Sequence, residues 1–382
     1  MNELRFSPTE PAAKPSRIAV VIPCYRVIPV VLDVLRRIGP EVERIYCIDD
    51  ACPDGSGRHI EEHCQDRRVH VVRHEQNQGV GGATMTGFKL ALENGADLVL
   101  KIDGDGQMDP ALIPRMINPI LAGRADYCKG NRFFHLESAQ SMPAIRWAGN
   151  AVLSFVTKLS SGYWNIFDPT NGYLAIHARV LAQLPFQKIN RRYFFESDML
   201  FRLNTVAAVI EDVPMNATYG AEHSGLRVSR IIVPFLFNHA VNSLKRIAYS
   251  HFLRNFSAAS VELTVGSASL LFGLVFGSIQ WWHSIVTGTP VTAGTVMLAA
   301  LPVILGSQFV LSFLNCDVHN VPQIPLHKRL GAGGESKVQS TLSNVLSVDF
   351  GHPPLSLAGA QSDHGAGAEQ ARPSGEPTVA SL

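Results

Sequence analysis

Two aspartates separated by a single glycine follow a short apolar run in the first third of the chain. The segment reads Lys101-Ile102-Asp103-Gly104-Asp105-Gly106-Gln107. Two carboxylates spaced in this way at the end of a strand converge on one small volume, and a hard divalent cation takes such oxygen ligands together with water and phosphate oxygens. A cation held there would bridge a diphosphate and stabilise the charge that develops as a bound group leaves. The alternatives are a tight acidic turn or a partial calcium loop, and the ligand repeat of a calcium loop is missing.

Two more polar segments follow apolar runs. They read Asp49-Asp50-Ala51-Cys52-Pro53-Asp54-Gly55-Ser56 and Asn77-Gln78-Gly79-Val80-Gly81-Gly82-Ala83. A carboxylate of the first segment could accept a base N–H or a ribose hydroxyl, although a strand-to-helix turn capped by Asp54 explains the same residues. The second segment places glycines at the start of a helix but lacks the GxGxxG spacing of dinucleotide-binding proteins. The sequence contains no Walker loop, HExxH or Ser/His/Asp nucleophile motif.

The segments that carry these loops alternate between strand and helix patterns. Short apolar, β-branched runs typical of buried parallel strands are RIAVVIPCY, ERIYCIDD, VHVVRHE and ADLVLKID, and helical spacing separates them. This alternation predicts right-handed βαβ units in a doubly wound, mostly parallel α/β sheet. Ligands of such sheets bind beyond the carboxyl ends of the strands. The three polar loops are therefore expected at one edge of the sheet.

Six segments in order resemble the family 2 glycosyltransferases of the GT-A fold. The closest resemblance is to the dolichol-phosphate mannosyltransferases and the bacterial polyprenyl-phosphate glycosyltransferases, and it covers about residues 17–230. The matching segments are Val21–Tyr25 with the family's opening strand, Asp49–Gly55 with DDGSxDGT, Asn77–Ala83 with NxGxGxA, Asp103–Gln107 with the metal-binding DxD, Gly130–Arg132 with GxR, and Asp168–Tyr173 with DPTSGF. Residues 17–230 are therefore expected to form a GT-A catalytic domain.

The resemblance implies a role for individual side chains. Residues implied to bind substrate, with the first two lining the base pocket, are Pro23, Tyr25, Asp50, Asp103, Gln107 and Asp168. Residues implied to bind the divalent cation, Mg²⁺ or Mn²⁺, are Asp103, Asp105 and Gln107. Residues implied to take part in catalysis are Asp105, Arg132 and Asp198, with Arg132 contacting phosphate.

The acceptor side departs from the family pattern. The acidic residue that the family carries within Tyr193–Met199 falls on Asp198, and Glu196 competes for the same role. Ala217 and Thr218 stand where the family usually has an arginine. Because a phosphate nucleophile is largely ionised near neutral pH, with a second pKa of about 6, it needs no strong general base. Asp198 is therefore interpreted as positioning the acceptor.

The activity implied is metal-dependent, inverting transfer of a hexosyl group from a GDP- or UDP-linked sugar to a polyprenyl phosphate. One alternative is transfer to a saccharide hydroxyl during cell-surface polysaccharide assembly, which would need Asp198 or Glu196 as a true base. The other is a catalytically silent, membrane-anchored module that binds a nucleotide-sugar. The sugar and the nucleotide base stay open, and a homo-oligomer is compatible with the sequence.

The composition changes after residue 230. Residues 231–257 mix apolar residues with Lys245, Arg246 and Arg254, which favours amphipathic helices at a membrane interface. Apolar runs at about 258–280 and 293–315 each approach the roughly 20 residues that span a bilayer, and they predict a two-helix transmembrane hairpin over 258–316. A loop that begins with Trp281 and Trp282 would connect them externally, and the flanking basic residues would place both ends in the cytoplasm of an inner-membrane protein. Buried core helices of a soluble domain are the alternative.

The remaining features are compositional. Residues 1–16 predict a flexible leader without the apolar region of a signal peptide, and residues 317–382 a cytoplasmic, largely disordered tail. The 33 Lys and Arg against 32 Asp and Glu argue against a nucleic-acid partner, which would require a basic excess. The six cysteines form no CxxC pair or zinc-ligand spacing, so reduced thiols facing the cytosol are expected.

Overall fold

A computed structural model describes residues 16–134, 144–216 and 228–330 of the chain. Its strands are β1 (Ile18–Cys24), β2 (Arg44–Asp49), β3 (Val69–Arg73), β4 (Leu98–Lys101), β5 (Tyr127–Asn131), β6 (Leu174–His177) and β7 (Ile210–Pro214). Its α-helices are α1 (Val31–Arg36), α2 (Ser56–His63), α3 (Val80–Glu93), α4 (Ile113–Leu121), α5 (Ala144–Ser161), α6 (Ala178–Leu181), α7 (Phe195–Thr205), α8 (Val228–Ile247), α9 (Ala258–Thr287), α10 (Ala293–His319) and α11 (Leu326–Arg329). A π-helical segment, Ala248–Arg254, extends α8.

The seven strands form one sheet in the order β3-β2-β1-β4-β6-β5-β7. Neighbouring strands pair in parallel except at β6, which runs antiparallel to both β4 and β5. The predicted doubly wound, mostly parallel α/β sheet is therefore confirmed. The parallel strands place their carboxyl ends, and the loops that follow them, at one edge.

Apolar residues cover both faces of the sheet because alternate side chains of a strand point to opposite faces. On β1, Val20 and Ile22 belong to a core that includes α1 and α4, while Ala19 and Val21 belong to a core that includes α3 and α7. Helix α3 approaches the strand closely through Gly87, where a Cβ would lie 2.2 Å from Val21 Cγ1. This packing holds the loops at the strand ends on a rigid base.

Helices α9 and α10 form an antiparallel pair of 30 and 27 residues, long and apolar enough to cross a membrane by length and composition. They pack closely where glycines face the partner backbone: a Cβ at Gly273 would lie 2.8 Å from Ala299 O. The predicted position of the tryptophan pair in a connecting loop is wrong. Helix α9 continues through Trp281 and Trp282 because no glycine or proline follows them before Gly288, whose φ of +64° ends the helix.

The chain after α10 returns to the catalytic domain. Buried Asp126 accepts from the backbone N–H groups of Leu326 and His327 at 2.7 and 2.9 Å, and His327 Nδ1 lies 2.6 Å from its carboxylate. The His327 ring stacks on His177 with centroids 4.5 Å apart. Residues 317–330 are therefore ordered, and the disorder that the composition predicts from about residue 331 stays a prediction. Residues 331–382 of the tail, residues 1–15 of the leader, and Ala217 and Thr218 lie outside the described residues.

Candidate functional site

The loop after β4 brings its three predicted metal-binding residues to the carboxyl edge of the sheet. The chain turns at Gly106, whose φ is +77°, and the Gln107 N–H donates to Asp105 Oδ1 at 3.0 Å. A Cβ at Gly104 would lie 3.3 Å from Ile22 and 3.4 Å from Val27, so the loop packs against the end of β1. The side chains of this loop therefore start from a defined backbone beside the first strand.

A fully buried lysine, Lys101, joins this loop to helix α7. Its Nζ lies 2.7 Å from Asp103 Oδ1 and 3.4 Å from Glu196 Oε1. Burial alone would lower the pKa of Lys101, but the two carboxylates outweigh it and raise the pKa, so the side chain stays charged. The sequence interpretation did not single out Lys101. The available signal was a charged residue inside the otherwise apolar run of a predicted strand.

A second buried lysine, Lys129, lies on β5. Its Nζ donates to the carbonyl of Asn171, and burial lowers its pKa to about 8 in spite of the nearby carboxylates of Glu196 and Asp168. Lys129 lies inside a short, fully buried strand and was not predicted. The two lysines supply positive charge beneath the carboxylates of the site.

Arg132 and Asp168, both predicted at the site, form a bidentate ion pair. Arg132 Nε lies 2.8 Å from Asp168 Oδ2, and Arg132 Nη2 lies 3.0 Å from Asp168 Oδ1. Asp168 is fully buried, whereas 30% of the Arg132 side chain is exposed. Such a fork fixes the plane of the guanidinium. Asp168 therefore orients Arg132, and a direct contact of Asp168 with substrate stays a prediction.

The segment from Asp168 to Gly172 connects the arginine to the acidic loop. A Cβ at Gly172 would lie 2.5 Å from both Asp103 Oδ2 and Lys101 Nζ, so a larger residue there would displace the ends of these side chains. The Gly172 carbonyl also lies within 3.4 Å of Lys101 Nζ. The structure thus brings the predicted Asp103 and Arg132 segments to one site through this connection.

Asp50, predicted to bind substrate, is buried and organises the glycine-rich segment after β3. Its Oδ1 accepts from the Gln78 N–H at 2.8 Å and contacts His74 Nδ1 at 2.7 Å, and its Oδ2 accepts from the Gly79 N–H at 2.7 Å. Burial would raise the pKa of Asp50, but these hydrogen bonds outweigh it and lower the pKa. The contacts give Asp50 a positioning role, while its contact with a nucleotide stays a prediction.

Pro23 and Tyr25 lie at the carboxyl end of β1, on the predicted side of the sheet. The Tyr25 ring is 46% exposed, and the guanidinium carbon of Arg26 lies 5.7 Å from its centroid. An exposed aromatic ring beside a cation at this edge is compatible with stacking on a base. Their contact with a base stays a prediction.

Helix α7 separates the two acids between which the sequence left the acceptor role open. Glu196 approaches Lys101, whereas Asp198 is buried and accepts from the Asn190 N–H and from Asn242 Nδ2, each at 2.9 Å. Asn242 belongs to α8, so Asp198 fastens α7 to the helix that precedes the candidate membrane spans. Of the two acids, Glu196 is the one in contact with the Asp103 network.

Beside Arg132, Asp212 on β7 accepts from Asn131 Nδ2 and from the Phe167 N–H, each at 2.9 Å. Burial raises its pKa to about 6. Its Oδ1 is buried and has no hydrogen-bond partner in the part of the chain that the structure describes. Burial therefore disfavours the ionised form of Asp212 relative to the protonated form.

A buried polar cluster connects the candidate membrane helices to the catalytic domain. Arg246 Nη1 and Nη2 lie 2.7 and 3.0 Å from the two oxygens of Asp317, at the end of α10. His251 Nε2 and Trp164 Nε1 each lie 2.9 Å from the same carboxylate. We call these four residues the Asp317 cluster. It ties both ends of the α9–α10 pair to one side of the catalytic domain.

Apolar side chains on α8, the π-helical segment and the residues just after it face solvent in the isolated chain. The most exposed of them are Val233, Phe237, Leu244, Leu253 and Phe256. Leu253 is 79% exposed, which is unusual for a contiguous apolar stripe on a soluble protein. The stripe agrees with the interfacial character expected of residues 231–257.

The residues of the acidic loop suit a cation that shares its ligands with a phosphate. Within the described ranges, no three His, Cys, Asp or Glu side chains form a metal-binding group. Asp103, Asp105 and the amide of Gln107 are an oxygen set of the size that Mg²⁺ uses when waters and phosphates complete its coordination. The donor set therefore fits a cation that arrives with a diphosphate rather than a protein-only cage.

The sequence matches the family model described as glycosyl transferase family 2 over residues 19–184. One similar protein is UDP-N-acetylglucosamine–dolichyl-phosphate N-acetylglucosaminyltransferase of Methanococcus voltae, 30% identical over 60% of this chain and 96% of that protein. Another is undecaprenyl-phosphate mannosyltransferase of Micrococcus luteus, 32% identical over 52% of this chain and 82% of that protein. Glucosyl-3-phosphoglycerate synthase from Mycobacterium tuberculosis has a similar solved structure, with a TM-score of 0.46, 16% identity, and coverage of 60% and 80% of the two chains.

Proposed function

The chain belongs to family 2 of the glycosyltransferases, and on that premise we propose that it transfers a sugar from a nucleotide-sugar to a polyprenyl phosphate at a membrane. The two relatives above are named for transfer to dolichyl phosphate and undecaprenyl phosphate, which supports a polyprenyl-phosphate acceptor here. Their sugars differ, so a GDP- or UDP-linked hexose remains the proposed donor class.

On the donor side, the loop from Asp103 to Gln107 would hold Mg²⁺ or Mn²⁺ against the diphosphate. When bound, such a cation supplies positive charge to the departing nucleoside diphosphate. Asp103 Oδ1 lies 2.7 Å from Lys101 Nζ, so a bound cation would share this carboxylate with Lys101. Tyr25 and Pro23 lie at the neighbouring strand end, where a base would extend away from the diphosphate.

On the acceptor side, Arg132 would bind the lipid phosphate, since a guanidinium fork matches phosphate geometry. A phosphate oxygen attacks C1 of the sugar, the new C1–O bond forms on the opposite face, and the bond from C1 to the β-phosphate oxygen breaks. The configuration at C1 inverts and the nucleoside diphosphate leaves. Because the phosphate is largely ionised near neutral pH, no residue has to remove a proton.

The observation that best supports the proposal is the direct contact of the catalytic domain with α8, the helix that precedes the candidate membrane spans. Asn242 Nδ2 on α8 donates to buried Asp198 Oδ1 at 2.9 Å, and the same helix α7 presents Glu196 to Lys101. A site joined so directly to an apolar anchor suits an acceptor that is dissolved in a bilayer. The flanking basic residues support placement of the catalytic domain on the cytoplasmic side of the cell membrane.

The test is reconstitution of the full chain in proteoliposomes with a polyprenyl phosphate, Mn²⁺ or Mg²⁺, and a panel of GDP- and UDP-sugars. We expect a lipid-linked monosaccharide and one nucleoside diphosphate per transfer, with loss of turnover on EDTA treatment. Parallel reactions contain a soluble saccharide acceptor. Product on a saccharide hydroxyl alone would overturn the lipid acceptor, and nucleotide-sugar binding without turnover would identify a silent module.

A further inference from the structure

Lys101 occupies a position that the proposed chemistry does not require but the geometry makes central. Its side chain is 0% exposed, and its ammonium has three acceptors within 3.4 Å: Asp103 Oδ1, Glu196 Oε1 and the Gly172 carbonyl. Lys101 Nζ donates to Glu196 Oε1 and to the Gly172 carbonyl, and it forms an ion pair with Asp103. Each acceptor belongs to a different part of the site.

The three acceptors lie on the donor loop, on helix α7 and on the segment that leads to Arg132. Asp103 belongs to the proposed cation site, Glu196 shares α7 with the anchor contact of Asp198, and Gly172 continues from Asp168, the partner of Arg132. A Cβ at Gly172 would lie 2.5 Å from both Asp103 Oδ2 and Lys101 Nζ, so the three groups lie in close contact. One buried charge therefore connects the two substrate sides.

We infer that Lys101 is a positioning residue that couples occupation of the donor loop to the arrangement of Glu196. This inference rests on the proposed function. Without a bound cation, Lys101 forms ion pairs with both Asp103 and Glu196. A divalent cation at Asp103 competes with Lys101 for that carboxylate, because two positive charges on one carboxylate repel each other. Lys101 then interacts more strongly with Glu196. Binding of the donor with its cation therefore fixes the position of Glu196 on the acceptor side.

The coupling predicts opposite effects of two substitutions on cation affinity. Lys101→Met removes the competing charge, so Mn²⁺ should bind to the full chain at least as tightly as to wild type, by up to about tenfold. Glu196→Gln leaves Lys101 with Asp103 as its remaining anionic partner, so Mn²⁺ should bind several-fold more weakly. Loss of packing around a buried side chain would weaken binding in both variants, so a merely structural role does not predict this divergence.

The experiment measures Mn²⁺ binding by electron paramagnetic resonance on the full chain in detergent, with Mn²⁺ and saturating GDP or UDP as the probe. Lys188→Met, an exposed lysine remote from these contacts, is the matched control and should bind like wild type. Weaker binding to Lys101→Met with unchanged binding to Glu196→Gln would overturn the inference. If Lys101→Met does not fold, unchanged or tighter binding to Glu196→Gln is itself sufficient to overturn it.

Turnover gives a second, independent readout. With saturating donor, each single variant should lose about 100-fold in kcat, as expected for a displaced electrostatic group. The double variant should be no slower than the worse single variant, because residues that act through one another are non-additive. Multiplied losses would contradict the coupling. Failure of wild type to transfer sugar would overturn the proposed function, and the Mn²⁺ measurements would still decide the role of Lys101.

Discussion

The carboxyl edge of the sheet around the Asp103–Gln107 loop, here called the donor edge, and the segment from α8 to α11, here called the anchor region, are held together in different ways. At the donor edge, each polar loop follows its own strand, and Asp103 and Asp105 are placed by the few residues around them. In the anchor region, the deciding contacts join Arg246 to Asp317, Trp164 to Asp317 and Asp126 to His327, which are 71, 153 and 201 residues apart. The donor edge is organised for chemistry, whereas the anchor region is organised for attachment.

Because of this difference, we expect the donor edge to determine mainly the turnover of the protein and the anchor region mainly its stability. Asp103 and Asp105 are partly exposed and would bind the cation under the proposed function, so their loss should affect turnover more than folding. The carboxylates of Asp317 and Asp126 are buried with several protein donors each, so their loss leaves unpaired buried groups. Substitutions in the two regions should therefore produce opposite patterns of activity and stability.

The largest effect is expected from Asp105→Asn. Removing one carboxylate of the proposed cation site should reduce kcat by about 1000-fold while the melting temperature changes little, because preorganised charge at such a site has roughly that effect. Sugar transfer in proteoliposomes and thermal unfolding in detergent measure the two quantities. Asp33→Asn, an exposed carboxylate on α1, is the control and should match wild type. A large loss of stability in Asp105→Asn would contradict the expectation that the donor edge affects turnover and not stability.

The anchor region is tested next by Asp317→Ala. Arg246 would be left as a buried charge without its carboxylate, which destabilises by about 3–5 kcal/mol. We expect a melting temperature lower by several degrees and an altered attachment of α10, measured by thermal unfolding and by protease sensitivity of the α10–α11 connection. The neighbouring Cys316→Ser at an exposed position should be neutral. An unchanged melting temperature would mean that the Asp317 cluster does not stabilise the attachment.

A smaller effect is expected from Asp126→Asn. The amide offers a single acceptor oxygen where the carboxylate accepts from Val209, Leu326 and His327, so the loss should be about 2 kcal/mol. Release of α11 should increase proteolysis near residue 325 while the transfer rate at saturating donor stays close to wild type. A kcat loss as large as that of Asp105→Asn would show that α11 belongs to the catalytic machinery.

An effect of similar size, seen only as a dependence on pH, concerns Asp212. Burial raises its folded pKa to about 6, above the unfolded value near 4, so the folded state binds the extra proton between these values. Stability should fall by about 2 kcal/mol as pH rises from 4 to 6 and then level off. Asp212→Asn mimics the protonated form and should be more stable than wild type at pH 7, with that advantage lost near pH 4. Equal stability of the two proteins at pH 7 would contradict the raised pKa.

The sequence predicted the donor edge well because each signal there is local. Alternating strand and helix patterns gave β1 to β4, and the acidic loop followed the strand that was expected to carry it. The pairing of Arg132 with Asp168 could not be derived from local spacing, since 36 residues separate them. Lys101 and Lys129 were missed because a charge inside a buried strand has no pattern that reveals its partner.

The anchor region was predicted less completely for the same physical reason. Apolar length gave the two long helices, but the helix end beyond the tryptophan pair depends on Gly288, and the return of residues 320–330 depends on Asp126. A carboxylate at the start of β5 carries no local sign that a segment 200 residues later will bind it. Composition predicted a largely disordered tail over residues 317–382. It could not reveal the tertiary contacts with Asp126 that order residues up to 330.

The Arg246–Asp317 pair has a consequence for how the catalytic domain can move. It closes the segment between its members, which are 71 residues apart in sequence, into a ring, and the contact of α11 with Asp126 adds a second attachment beyond that ring. A domain on one flexible tether would rotate freely and sample many heights above a bilayer. If α9 and α10 span a bilayer, two attachments would restrict this rotation and keep the catalytic domain within a narrow range of distances from the lipid headgroups. The search for an acceptor phosphate would then approach diffusion in two dimensions.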